Sequence, residues 1–451
     1  MRLQVNRTLR RLAIVSLLTS SLTCGGSQAK ERPHREAVLD SATARALDEQ
    51  IQTLKFIELE KRVSSLPPSV DRDYFAGVSA NRGGQLAVST RLLEQALPRL
   101  RSDERRRTAL ALATLADDYL KLFRYKDAET QYARLIRDYP QDIDPALLDN
   151  IKDDFGVIQL MVNFPPQTIE RNGSTKIKTV RSQIGTLDGS LTIGGVESPW
   201  ILDTGANFSV VTTTLAKRMH VTISENTAHT KGGVTGLENT IHVGLLPSLT
   251  LGSIIVHNVV LLVFDDDGLR ITLGPKASYQ IQGILGYPVF QSLGAVRFEA
   301  SGYFSVDTAS LNVPQSSRLF MNKLTPLIAG DMNDKQLLFA FDTGANTTQF
   351  TRRYYQEFPD QFTGLKLETV ENGGAGGATK TQMYLLPQAT IRLSGQPVVL
   401  HNVATLTGLM GTELDDSYGN LGRDVTAGYK SFTFDFVKMT FVLGDRIANP
   451  Q

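Results

Sequence analysis

The sequence predicts an all-β protein made of two similar halves and preceded by a small all-α domain. The five residues Asp-Thr-Gly-Ala-Asn occur twice, at 203–207 and 342–346. Further landmarks come after each copy in the same order, which indicates a duplicated unit. The apolar pattern also changes along the chain: it has a helical period before about residue 160 and becomes strand-like after about residue 176.

Each copy of the repeated stretch comes directly after an apolar run, at 200–202 and 337–341. A run of this kind predicts a buried strand, and Asp and Gly then predict a tight turn at its end. One copy alone would be consistent with an ordinary strand-to-loop turn. The repetition, together with the landmarks that come after each copy, argues against that interpretation.

Five landmarks recur after each Asp at nearly equal spacing. They are a Thr, a large apolar residue, a Gly-rich stretch, a Gly preceded by an apolar residue, and a strand-like run that ends in an acid. The pairs are Thr212 and Thr351, Met219 and Phe358, Gly232-Gly233 and Gly373-Gly374, Gly286 and Gly422, and Glu299 and Asp435.

These motifs resemble those of the aspartic proteases, and residues 203–211 are most similar to the bacterial retropepsin-like branch. The resemblance covers about residues 180–447. It implies a bilobal aspartic-peptidase fold, a double retropepsin-like barrel, with lobes at 180–312 and 313–451. The sequence departs from the family at Asn420, where a second apolar residue is usual, and in lacking an obvious flap Tyr in the first lobe. We expect both departures to affect substrate preference more than the chemistry.

The resemblance implies one catalytic site with two carboxylates. Two like charges about 3 Å apart cannot both ionise, so the pair shares a proton, as in aspartic proteases generally. The ionised member activates a water and the protonated member polarises the peptide carbonyl. Each Thr hydroxyl is expected to bond across to the other loop, and backbone N–H groups are expected to orient the carboxylates. The implied catalytic residues are Asp203 and Asp342, supported by Thr204, Gly205, Thr343 and Gly344.

The Gly-rich stretches are predicted to form flaps over a substrate cleft, the alternative being plain flexible hairpins. The flap residues are Gly232 and Gly233 in the first lobe, and Gly373, Gly374, Gly376 and Gly377 in the second. The expected substrate is a peptide or protein in extended conformation.

Composition describes an ordinary globular protein, with 41% apolar and 21% charged residues among 451. The net charge of +1 gives no argument for a nucleic-acid partner or an anionic membrane surface. The six His residues show no metal-ligand spacing, so we expect no metal and no cofactor.

Residues 1–29 resemble a secretory signal, with a basic end and an apolar run too short to span a bilayer. The sequence therefore predicts export, to the periplasm or to a membrane-anchored state. Cys24, the only cysteine, stands in a near match to a lipoprotein box and is the candidate for lipidation. Cleavage near Ala29, with Cys24 discarded, is the alternative.

Residues 30–160 are predicted to be α-helical. Their small and large apolar positions between Leu112 and Pro140 resemble a tetratricopeptide helix pair. A plain helical bundle or prosegment is the alternative, because about three repeats are needed for a stable solenoid. Pro165-Pro166 and Asn172-Gly173 favour a linker at 161–179.

We therefore expect a monomeric aspartic endopeptidase whose helical domain offers a surface for a protein partner. Two other functions are consistent with the sequence. One is a catalytically silent module that binds extended peptides, because a fold does not guarantee its usual function. The other is a helical interaction protein that carries the β lobes as cargo.

Overall fold

The computed structural model describes residues 39–231, 237–274, 277–307, 315–374 and 377–448. These residues lie in one compact unit that begins at Ala37. The unit contains an N-terminal helical region and a large β domain. No helix among the residues it describes is long and apolar enough to cross a membrane.

Seven α-helices precede the first strand in the described part of the chain, and successive helices pack against each other. Side chains cap several of their first turns: Asp40 accepts from Thr43 N, Ser69 from Arg72 N and Asp144 from Ala146 N. The helices are α1 (Ser41–Gln52), α2 (Phe56–Ser64), α3 (Val70–Arg82), α4 (Leu86–Ala96), α5 (Arg105–Lys121), α6 (Tyr125–Asp138) and α7 (Pro145–Gln159).

The helix pair α5–α6 corresponds to the tetratricopeptide-like pattern. Its small and large apolar positions are buried between the helices, including Leu112, Ala116, Ala128 and Tyr132. The preceding pair, α3–α4, packs against α5, and within that pair Gly77 of α3 contacts Leu93 of α4. A Cβ built at Gly77 would lie 2.6 Å from Leu93 Cγ, so the close approach of these two helices requires glycine there.

The first half of the β domain extends from the first strand to residue 307. Its strands are β1 (Thr168–Arg171), β2 (Thr175–Arg181), β3 (Leu187–Ile193), β4 (Val196–Leu202), β5 (Ser209–Thr212), β6 (Thr222–Ile223), β7 (Ala228–Lys231), β8 (Glu238–Leu251), β9 (Ile254–Phe264), β10 (Arg270–Gly274), β11 (Ala277–Gln280), β12 (Gly283–Leu285), β13 (Ala295–Glu299) and β14 (Tyr303–Val306). Two short helices accompany them, α8 (Thr213–Arg218) and α9 (Tyr287–Leu293).

The second half, from residue 315, has a similar order of elements but fewer strands and helices. Its strands are β15 (Ser317–Asn322), β16 (Thr325–Met332), β17 (Lys335–Phe341), β18 (Gln349–Phe350), β19 (Leu367–Gly374), β20 (Gly377–Leu393), β21 (Gln396–Leu406), β22 (Gly419–Leu421), β23 (Ser431–Asp435) and β24 (Thr440–Leu443), with one helix, α10 (Arg352–Glu357). Strands β3 and β4 correspond to β16 and β17, and β12 corresponds to β22.

One antiparallel sheet joins the two halves. Its strand order is β2, β14, β13, β23, β24 and β15, so three strands come from each half. Strands β13 and β23 meet at its centre, where Phe298 lies opposite Phe432 and their rings stack at 4.8 Å. The two acid-terminated runs noted in the sequence are therefore direct neighbours.

Residues 161–179, assigned from sequence to a linker, contain strand β1 and most of β2. Strand β1 pairs with β9, and β2 pairs with β3 and β14. The turn residues in this stretch are real turns between short strands. The partner of β1 lies about 85 residues further on and the second partner of β2, β14, about 125 residues further on, so only the β2–β3 pairing is local in the sequence.

The helical region packs directly on the β domain. The rings of Phe56 and Phe320 lie 5.7 Å apart, and Gln291 Nε2 donates to the carbonyl of Lys121 at 3.2 Å. Helix α7 also contacts both halves. Asp153 pairs with Lys231 at 3.3 Å, and Asp154 pairs with Lys323 at 2.9 Å.

Candidate active site

The two Asp-Thr-Gly loops begin where strands β4 and β17 end, and a neighbouring strand holds each Asp. Strand β12 runs parallel to β4, and β22 runs parallel to β17. The backbone N–H of Asp203 donates to Leu285 O at 3.0 Å, and that of Asp342 donates to Leu421 O at 3.0 Å. The same local structure therefore positions the backbone of both aspartates.

The recurring Gly landmarks lie directly beneath these loops. A Cβ at Gly286 would stand 2.5 Å from the carbonyl carbon of Phe208, and one at Gly422 would stand 2.6 Å from that of Thr347. Backbone atoms cannot move aside as a flexible side chain can. Glycine at both positions thus lets each loop lie against the chain that comes after β12 or β22.

Hydrogen bonds cross between the two loops through the threonines. Thr343 Oγ1 donates to Leu202 O at 2.6 Å and accepts from Thr204 N at 2.9 Å. In the opposite direction, Thr204 Oγ1 donates to Phe341 O at 3.1 Å and accepts from Thr343 N at 3.3 Å. Both threonines are fully buried, so these four bonds fix the loops to each other.

The carboxyl groups of Asp203 and Asp342 lie side by side, because Asp203 Oδ2 and Asp342 Oδ1 would stand 2.6 and 2.9 Å from the same Cβ built at Gly344. A Cβ at Gly344 would lie 2.6 Å from Asp203 Oδ2, and one at Gly205 would lie 2.7 Å from Asp342 Cγ. Each carboxyl therefore contacts the glycine of the opposite loop. Gly205 N donates to Asp203 Oδ1 at 2.8 Å, and Gly344 N donates to Asp342 Oδ1 at 2.7 Å.

The proximity of the two acids disfavours a double negative charge. Burial, the charge of Asp342 and the hydrogen bond with Asp342 together raise the pKa of Asp203 well above its usual range. The N–H groups of Gly205 and Gly344 act in the opposite direction. The pair can therefore hold a single proton over a range of pH.

The Asn that ends each repeated stretch contacts the opposite half. Asn207 Oδ1 accepts from Thr325 Oγ1 at 3.2 Å, at the first residue of β16. Asn346 Nδ2 donates to Ile184 O at 2.9 Å, in the turn before β3. Both Asn side chains therefore link their loop to the opposite half, although Asn207 accepts from a side-chain hydroxyl and Asn346 donates to a backbone carbonyl.

Two polar residues at the site were missed as site residues by the sequence analysis. Asn420 Nδ2 donates to Asp342 Oδ2 at 3.1 Å, and the buried Arg423 donates through Nη2 to Asn346 Oδ1. The repeat itself contains the signal that could have identified these two residues. The corresponding residues of the first half are Ile284 and Tyr287, so comparing the two copies position by position finds both differences.

Three of the six predicted flap glycines are among the described residues, and all three lie in one hairpin. Gly373, Gly374 and Gly377 belong to the arms of β19–β20, where Gly374 pairs with Gly377. Gly376, Gly232 and Gly233 lie outside the described residues; Lys231 and Glu238, which flank the latter two, are paired across β7–β8. Cys24 also lies outside the described residues. The part of the chain that is described contains no group of three or more His, Cys, Asp and Glu placed to hold a metal.

Part of the chain is similar to a known protein family. The family model described as aspartyl protease matches residues 189–289, which include the first Asp-Thr-Gly loop. No curated protein matches the chain. Among solved structures, the crystal structure of Basic 7S globulin from soybean is similar at 10% identity and a TM-score of 0.38, covering 60% of this chain and 94% of that one.

Proposed function

We propose that this protein is an aspartic endopeptidase with Asp203 and Asp342 as its catalytic pair. The observation that carries the proposal is the meeting of two Asp-Thr-Gly loops from one chain, bonded to each other through their threonines and with their carboxyl groups side by side. The aspartyl protease match over residues 189–289 supports the same reaction class. Because one chain supplies both loops, the proposed active form is a monomer.

The proposed reaction is the hydrolysis of a peptide bond by water. The ionised carboxylate takes a proton from a water held between the two acids, and that water attacks the carbonyl carbon. The protonated carboxyl donates to the carbonyl oxygen, and a proton then passes to the leaving amine. Asn207 and Asn346 stand at equivalent places on either side of the pair, where an extended peptide would pass. The hairpins β7–β8 and β19–β20 are the proposed flaps.

Replacing either acid by its amide tests this directly. D203N and D342N should each abolish cleavage of a peptide library assayed from acid to mildly alkaline pH, and a statine-type inhibitor should block the wild type. The matched control is D331N, an exposed aspartate of β16, which should cleave like the wild type. The double variant should be little worse than either single one, because the two acids act as a unit.

Two outcomes would contradict the proposal. Activity restored by mixing D203N with D342N would mean that loops pair between chains. A wild-type protein that binds peptides at every pH and cleaves none would be the silent binding module.

We further propose that the helical region presents protein substrates to the site. A groove of about 400 Å³ between α1 and α5 is lined by charged residues, including Arg45, Glu49 and Arg106. Deleting the helical region would expose the surface of the β domain on which it packs, and a deletion that extended to residue 170 would also remove most of β1. Full-chain variants are therefore the better test: R45E/R106E should cleave short peptides normally and a protein substrate more slowly. Equal rates on both substrates would remove this role.

Export and lipid anchoring are proposed from the sequence of residues 1–29 and from Cys24. C24S should move the protein from the membrane fraction to the soluble periplasmic fraction. Unchanged fractionation would favour cleavage near Ala29 instead.

A further inference from the structure

The two acids have different surroundings although their loops are nearly alike. Position 420 is the clearest difference, because the first half has the apolar Ile284 there and the second half has Asn420. Both positions lie in the short strand that runs parallel to the strand before the Asp, β12 or β22. A polar residue in this buried place requires an explanation.

Asn420 is 8% exposed, and its amide has a defined orientation. Its Nδ2 donates to Asp342 Oδ2 at 3.1 Å. Its Oδ1 is buried with no hydrogen-bond partner among the described residues. An unpaired buried acceptor destabilises the fold, so the bond to Asp342 is the interaction that offsets this cost. An amide N–H facing a carboxyl oxygen stabilises that oxygen most when it carries charge.

The other donors add to the same asymmetry. Asp342 Oδ1 accepts from Gly344 N at 2.7 Å and from Ala345 N at 3.0 Å, so with Asn420 this carboxyl accepts three N–H groups. Asp203 Oδ1 accepts from Gly205 N at 2.8 Å, with Gly344 N nearby. Donors to a carboxylate favour its ionised form, so these contacts place the negative charge on Asp342.

Arg423 interacts electrostatically with both acids and also with Arg181 and Asp188, and Asp424 follows Arg423 in the chain. Burial, followed by the charge of Arg181, lowers the pKa of Arg423 to about 10, so Arg423 stays positive at acid and neutral pH. Asp188 accepts from Thr186 and Tyr279, and Asp424 accepts from Thr348, so both of these acids are bonded away from the pair.

We propose that Asn420 is a positioning residue that holds the negative charge on Asp342 and leaves the shared proton on Asp203. This rests on the proposed function and assigns the two roles within it. Asp342 accepts the proton of the attacking water, and Asp203 donates to the carbonyl oxygen. The first half, with Ile284, cannot supply an equivalent donor.

The pH profile distinguishes this assignment from its reverse. Activity requires the singly protonated pair. The acidic limb of a bell-shaped profile therefore reports loss of the first proton from the pair, and the alkaline limb reports loss of the second. If Asp342 is ionised in the active form, Asn420 stabilises both the singly and the doubly ionised pair. Removing Asn420 then moves only the acidic limb. If Asp203 were the ionised member, removing Asn420 would move only the alkaline limb.

The experiment compares the pH dependence of kcat/KM for the full-length wild type, N420I and N420D. N420I gives the second half the residue of the first, and its acidic limb should move up by about one pH unit, the expected loss of one donor to a charged group. N420D adds a third carboxyl beside Asp342, so its acidic limb should move further. The alkaline limb of N420I should not move. The control T405V removes a buried hydroxyl that bonds to Val403 O, away from the acids, and should leave both limbs in place.

Two results would overturn the assignment. Movement of the alkaline limb alone in N420I would put the proton on Asp342. Loss of rate or stability with both limbs unmoved would make Asn420 merely structural. If the wild type cleaves no peptide, the proposed function fails first, and ¹³C NMR of the Asp carboxyl groups still locates the proton. In that measurement, a first ionisation step unaffected by N420I would also refute the role of Asn420.

Discussion

The threonine bonds between the two loops give the most direct prediction about how the site is held together. The change is T343V, which keeps the side-chain shape and removes the hydroxyl. Thr343 Oγ1 makes the shorter pair of the four crossing bonds, at 2.6 and 2.9 Å, and it is fully buried. T343V would therefore leave Leu202 O without this donor and Thr204 N without this acceptor.

The magnitude is set by those two groups. A buried polar group left unpaired costs about 1–3 kcal/mol, so the loss of partners for two such groups should lower the free energy of unfolding by about 2–6 kcal/mol. The loop that carries Asp342 would also lose its fixed position relative to Asp203. A displacement of about 1 Å at a catalytic group can cost on the order of 100-fold in rate, so kcat/KM should fall by about that factor.

Urea unfolding and peptide cleavage measure the two effects separately. T343S retains the hydroxyl and should recover most of both losses. T351V is the matched control: Thr351 Oγ1 donates to Ser417 O at 2.6 Å within the second half, so stability should fall while kcat/KM changes little. If T343V changed stability by less than about 0.5 kcal/mol and left kcat/KM intact, the bonds would not hold the site.

Three further predictions concern stability. D203N should stabilise the protein at pH 7. The pKa of Asp203 is raised in the folded state above its ordinary value of 3.8, so the wild type loses stability as the pH rises above 3.8, and the neutral Asn does not. In urea unfolding the advantage of D203N should disappear below about pH 3.8, and an equal advantage at all pH values would refute the prediction. K323M should cost about 1–2 kcal/mol in urea unfolding, because Lys323 contacts Asp154 at 2.9 Å and Glu413 at 2.8 Å in a partly exposed triad and its loss leaves two acids without their cation. A change under about 0.5 kcal/mol would mean that the triad contributes nothing. G286A should prevent folding into an active protein, since its Cβ would meet backbone 2.5 Å away, whereas G428A, with open space around it, should be tolerated in the same expression and cleavage assays.

The candidate site residues that can be predicted from the sequence are those that the chain repeats. Asp203 and Asp342, the threonines beside them, and Gly286 and Gly422 recur at matching intervals, and the structure brings them together. Their spacing is informative because each repeat folds locally in the same way. Residues 232–236 and 375–376, at the predicted flap tips, lie outside the described ranges.

Features that depend on distant partners could not be predicted. Strand β1 pairs with β9 about 85 residues later, and helix α7 reaches Lys231 and Lys323. No local pattern of apolar or turn residues encodes such a contact. Asn420 was visible as a departure and was interpreted as affecting substrate preference. Its bond to Asp342 shows that it bears on the acids themselves.

A single chain with two unequal halves can do what two identical chains cannot. The hydrolysis of a peptide bond needs one acid and one base at the same moment, so the chemistry is asymmetric even when the fold is nearly twofold. The chain keeps the twofold relation where the loops must be fixed, in the threonine bonds, the two glycines and the contacts of Asn207 and Asn346. It departs from that relation at Asn420 and Arg423, opposite Ile284 and Tyr287. Two copies of one chain would present the same surroundings to both acids, and the proton would have no preferred side. Duplication within one chain allows substitutions in one half alone to choose that side.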